Sequence, residues 1–130
     1  MRLPWNWRSR IEITVDEDGK DTVFNLQFIK GKTPKGFMRN IGELSTSECR
    51  PYGHVVEGSH VDEKFRRKGL GKMLYLRALE HHGSLTTFYH RASEEAQRVW
   101  KSIMRNHKHD ENFLKGTLTA YYKRRVVKVK

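Results

Sequence analysis

The segment from Val61 to Leu74, VDEKFRRKGLGKML, decides how the chain folds. Arg66, Arg67 and Lys68 precede glycines at 69 and 71, and apolar residues follow. Leu70, Met73, Leu74, Leu76, Ala78 and Leu79 share a broad face at helical spacing. That pattern predicts a helix from Gly69 to His82, ended by Gly83 in the left-handed region. Two glycines in the first turn of a helix cost about 0.8 to 1 kcal/mol each relative to alanine, so the backbone there is kept bare for a reason. A helix start presents N–H groups without helical acceptors at the positive end of the macrodipole, which suits a phosphate. Without a Cβ at Gly69 and Gly71 an anion can approach those donors, and Arg66, Arg67 and Lys68 add attraction at the rim.

Two familiar phosphate loops are excluded by residue identity. A Walker A loop needs glycine where Arg66 stands and Ser or Thr where Met73 stands. A dinucleotide fingerprint beginning at Gly69 needs Gly or Ala where Leu74 stands.

Outward from this segment the chain alternates strands and helices. HVVEGSHV, His54 to Val61, reads as a strand, with Gly58 marking a bulge or a close backbone approach. LTTFY, Leu85 to Tyr89, reads as a short buried strand. Ala96, Val99, Trp100, Ile103 and Met104 then make an amphipathic helix. Ser93 is its N-cap, Glu94 and Glu95 lie at the positive end of its dipole, and Lys101 and Arg105 lie toward the other end. Upstream, Ile11, Ile13 and Val15 alternate with polar residues, as do Phe24, Leu26 and Phe28, and Asp18-Gly19 supplies a hairpin turn. The acidic residues Asp16, Glu17, Asp18 and Asp21 lack the glycine and terminal Glu of a calcium loop and read as a solvated turn. A short strand is expected around Phe37 to Leu44, and TLTAYYKRRVVKVK at the end has strand composition. The fold class is α/β: a mixed, mostly antiparallel central sheet with two main helices and one parallel strand–helix–strand step.

Residues 1–130 suit one domain, long enough to bury about two-thirds of the unfolded surface without disulfides or metal. Cys49 stands alone, so no intrachain disulfide forms. No signal-peptide pattern and no run of about 18 apolar residues is present, so the chain reads as soluble and cytoplasmic, with no membrane partner. A net charge of +11 favours polyanionic partners: nucleic acid, an acidic protein surface or a multiply phosphorylated cofactor. His81-His82 and His107 with His109 lack zinc spacing, so no metal is expected.

The arrangement Arg-x-x-Gly-x-Gly, after a strand and before a helix, resembles the GNAT superfamily of N-acetyltransferases. VDEKFRRKGLG (Val61 to Gly71) looks like that family's strand end and loop, with Glu63 where proline is frequent. LTTFY resembles the strand that follows, and SEEAQRVW (Ser93 to Trp100) resembles the family's Asn-x-x-Ala-x-x-x-Tyr. The resemblance runs from about Val55 to Ile103 and implies a GNAT-like fold, here without the helices usual in the N-terminal third.

It further implies acetyl-CoA as co-substrate, its pyrophosphate on the amides of Arg67, Lys68, Gly69, Leu70, Gly71 and Lys72, with Arg66 beside them and Val61 offering main-chain donors to the thioester arm. Ser93 and Trp100 occupy the family's cofactor-facing Asn and Tyr positions. An indole N–H cannot shuttle a proton, so the acid is Tyr89, another tyrosine such as Tyr121, or water, or the site performs no chemistry. Glu57 is the first candidate for general base, with His54, His60 and His90 as rivals.

Three functions follow as expectations. One is acetyl transfer to an amine of a protein, an aminoacyl-tRNA or a small molecule. Another is a catalytically silent binding or assembly module. The last is nucleic-acid binding through Lys115, Lys123, Arg124, Arg125, Lys128 and Lys130, with Tyr121 and Tyr122 for stacking.

Overall fold

A computed structural model describes residues 11–30, 37–112 and 114–122. Strands β1 (Ile11–Asp18) and β2 (Asp21–Lys30) form the expected hairpin, turning at Gly19 with φ +61. Phe24 and Leu26 are fully buried, and Ile11, Ile13 and Val15 pack partly buried against the same core. The next strand, β3 (Phe37–Cys49), is longer than the Phe37 to Leu44 expected from sequence. Its second half is Ser, Thr and Glu, which read as turn formers, yet it pairs with β2 on one side and with β4 (Gly53–Val61) on the other. Buried Thr46 shows why: its hydroxyl is paired with His82 Nε2 at 2.9 Å, so the polar side chain enters the core satisfied.

Helix α1 (Leu70–His82) follows β4, and β5 (Ser84–Phe88) returns parallel to β4. Gly83, at φ +81, ends α1 as expected, its amide donating to Leu79 O at 2.8 Å. Leu70, Leu74, Ala78 and Leu79 are buried, whereas Met73 is exposed. Helix α2 (Glu94–Asn106) buries Ala96, Trp100 and Ile103, and Ser93 caps it by accepting from the Ala96 amide at 3.1 Å.

A short strand absent from the sequence reading, β6 (His109–Asn112), pairs antiparallel with β7 (Thr117–Tyr121). Its four residues are exposed, so no apolar alternation marks it. The sheet has seven strands in the order β1-β2-β3-β4-β5-β7-β6, antiparallel except where β4 meets β5. Among the described residues the N-terminal third holds strands and no helix. No described helix is long and apolar enough to cross a membrane.

Candidate functional site

The β4–α1 loop is held at both ends. Phe65, 3% exposed, sinks into the core against Phe28 with ring centroids 5.7 Å apart. Arg66 folds back to donate from Nε to Val61 O at 2.8 Å, and its guanidinium stands 4.0 Å from the Glu95 carboxylate of α2. Arg67 takes φ +62, a region that costs a non-glycine residue about 1–3 kcal/mol and that concentrates at functional loops. Gly69 follows at φ +79 and caps α1 without any side-chain hydrogen bond.

The first hydrogen bond inside α1 runs from Met73 N to Gly69 O at 3.1 Å. The amides of Leu70, Gly71 and Lys72 therefore have no helical acceptor. These three residues line a groove of about 210 Å³, together with Arg66, Arg67 and Arg98. A Cβ on Gly71 would have Val99 Cγ2 at 3.9 Å and Val61 Cγ2 at 4.0 Å as its nearest neighbours, which is ordinary contact. Gly71 is thus bare toward the groove and not because protein atoms crowd it. Lys68 is half-buried beside the groove and does not line it. Arg98, on the exposed face of α2, adds a cation that no motif signalled. Ser93 and Glu95 complete the α2 side.

Behind this groove the sheet opens. β4 and β5 are registered only at Val55 and Thr86. On β4, Ser45 of β3 pairs with Gly58 and Thr46 pairs with Val56, which leaves Glu57 as the extra residue of a β-bulge. The bulge expected near Gly58 is present, and it turns Glu57 outward. A second cavity of about 360 Å³ fills the opening, lined by Val56 to Ser59, by Thr87 and Phe88, and by Arg91. Glu57 is exposed there.

The two cavities share Ser59, Tyr75, Ser93 and Ala96. Tyr75 Oη lies 2.9 Å from Ser59 Oγ. Burial pushes the Tyr75 phenol above its ordinary value, partly offset by the Ser59 hydrogen bond. Sequence reading passed over Tyr75 because an aromatic at this spacing in an apolar helix reads as core, and its partner lies on another element.

Other predicted residues lie elsewhere. Trp100 is 0% exposed, packs edge-on to Tyr75 with centroids 5.7 Å apart, and lines neither cavity; its Nε1 has no hydrogen-bond partner among the described residues. A bulky indole at this position fills core volume. Tyr89 and His90 line a separate cavity with Lys101, Met104 and residues of β6 and β7. Tyr121 donates its hydroxyl to Asp110 Oδ2 at 2.7 Å, away from both cavities. His60 lines the groove near Asp62, at 3.5 Å.

His54 stacks on His82 at 3.8 Å, and His81 pairs with Glu17. His82 is held down to about 4 by burial, then by the neighbouring His54 and His81, against a smaller opposing effect of Glu17. Among the described residues no group of three or more His, Cys, Asp or Glu is placed to hold a metal. Of the cationic tail, Lys115 sits 5.4 Å over the Tyr52 ring and Tyr122 packs half-buried on the core. Lys123, Arg124, Arg125, Lys128 and Lys130 lie outside the described residues.

The geometry therefore offers a helix start with open amides and cations and, across a wall of shared residues, a cleft between diverging strands. No family model matches the chain, and no curated protein does. Among solved structures it is similar to the KacTA–DNA complex at a TM-score of 0.53 and 14% identity, over 79% of this chain and 69% of that one. It is also similar to an acetyltransferase of the GNAT family from Staphylococcus aureus Mu50 at a TM-score of 0.51 and 8% identity, over 79% and 69% of the two chains. The fold is thus that of the GNAT acetyltransferases, as the sequence motif implied.

Proposed function

We propose that this chain is an acetyl-CoA-dependent N-acetyltransferase acting on an amine. The observation that carries the reading is Gly71, bare toward a cation-lined groove whose wall includes Leu70, Gly71 and Lys72, the first-turn residues whose amides have no helical acceptor. Those amides, with Arg66, Arg67, Lys72 and Arg98, would hold the phosphates. Acetyl-CoA supplies the acyl thioester. Everything else falls to the chain: the passage past Ser59 and Tyr75 aligns the donor, the β4–β5 opening receives the amine, and Glu57 stands at its mouth to take an amine proton directly or through water.

The test is an acetyl-transfer assay with lysine peptides, N-terminal peptides, polyamines and aminoacyl-tRNA as acceptors. Thiol release dependent on one of these acceptors supports the reading. Absence of release with all of them, while acetyl-CoA still binds, supports a second reading, a silent GNAT-fold module. That alternative draws on Trp100, which fills with buried indole the position where the resemblance implies an acid. The similarity to a chain seen with DNA bears on nucleic-acid binding only through the shared fold.

A further inference from the structure

We propose that Tyr75 is the proton donor of the transfer reaction, taking the role that Trp100 cannot fill; this rests on the acetyltransferase reading above. Three observations place it. First, Tyr75 belongs to the wall common to the phosphate-side groove and the cleft between β4 and β5, and of the four residues in that wall it alone carries a titratable proton. A donor reaching from one cavity into the other would run past the Tyr75 side chain. Second, the hydroxyl is aimed: Ser59 Oγ, on the exposed side of β4, holds it at 2.9 Å, and the Trp100 ring packs edge-on behind the phenol. Third, burial keeps the phenol protonated at neutral pH, so it is available as an acid.

The indole of Trp100 therefore acts as the surface that orients its neighbour. Its own Nε1 is buried with no hydrogen-bond partner among the described residues, and an indole N–H, a donor only, cannot shuttle a proton.

In the step, the amine nitrogen forms a bond to the acyl carbon while the carbon–sulfur bond breaks, its electron pair leaving on sulfur. Tyr75 gives its proton to that sulfur, producing a thiol. The phenolate is reprotonated, through Ser59 or water, by the proton that Glu57 has taken from the amine nitrogen, so the enzyme returns to its starting state. A buried phenolate is disfavoured, which makes the return fast and keeps proton loss coupled to departure of the thiolate.

The experiment compares wild type, Tyr75→Phe and Ser59→Ala by steady-state transfer, acetyl-CoA calorimetry and thermal melting. Phe keeps the ring that fills the core and removes only the hydroxyl. The expected result is a fall in kcat of about 100-fold or more for Tyr75→Phe, with acetyl-CoA affinity within about 2-fold of wild type. Ser59→Ala is expected to lower kcat less, because it misorients the donor without removing it. Rescue of part of the lost rate with a donor whose thiol leaving group is more acidic, measured relative to wild type, identifies the missing function as leaving-group protonation. Wild-type kcat in Tyr75→Phe overturns this inference and leaves the acetyltransferase reading standing. A wild-type protein that transfers to no amine overturns both.

Discussion

Gly69 and Gly71 stand two residues apart at the start of α1, and the backbone requires only one of them. Gly69 adopts φ +79, whereas Gly71 is an ordinary helical residue with 3.9 Å of clearance from where a Cβ would stand to Val99 Cγ2. Alanine at 69 forces a left-handed conformation and should destabilise the fold by about 1–2 kcal/mol. Alanine at 71 gains helix propensity and should stabilise it by up to about 1 kcal/mol. Urea unfolding of Gly69→Ala and Gly71→Ala checks the opposite signs. Destabilisation by Gly71→Ala would show that packing, not a ligand, keeps position 71 small.

Glu57 is pushed out of the β3–β4 register by the bulge and lines the cleft between β4 and β5. Glu57→Gln keeps its size and removes its basicity. Turnover should fall about 100-fold or more with acetyl-CoA affinity nearly intact. Wild-type turnover in this variant would remove Glu57 as the base.

The His82 imidazole, held down to about 4, faces His54 of β4, His81 of its own helix, Glu17 of β1 and the Thr46 hydroxyl of β3. Its ordinary value is 6.5, so the unfolded chain binds a proton there at a pH where the folded chain does not. Stability from this group is fully present above the unfolded value and is lost as pH falls from 6.5 toward about 4. Denaturant midpoints for wild type should therefore drop between pH 7 and pH 4.5 more steeply than those for His82→Gln. Parallel curves for the two proteins would contradict the assignment.

Local chemistry made much of this legible. The turn glycine at 19, the αL glycine at 83, the Ser93 cap and the Ala96, Trp100, Ile103 stripe each act within a few residues, and all are in place, whereas Gly69, read as helical, is left-handed. Long-range pairing was not legible. Thr46 reads as a turn residue until His82, far along the chain, pairs with its hydroxyl. β6 carries no apolar pattern because all its residues face solvent at the sheet edge. Tyr75 differs from a core tyrosine only through Ser59, sixteen residues away on β4, and through cavities that exist only when β4 and β5 diverge. Tyr89, a candidate acid read as the end of a strand, stands instead in the 3-10 turn Tyr89–Arg91 and lines the cavity by β6 and β7.

The most direct test of the phosphate cradle at α1 is calorimetric titration of acetyl-CoA into wild type and Gly71→Glu, with melting curves for both. The Glu side chain would occupy the bare position and set a negative charge among the open amides, so the predicted result is saturable binding to wild type and at least a 100-fold loss in a variant that still melts cooperatively, about 2.7 kcal/mol. Absence of binding to wild type at low ionic strength, or wild-type affinity in Gly71→Glu, would contradict the account.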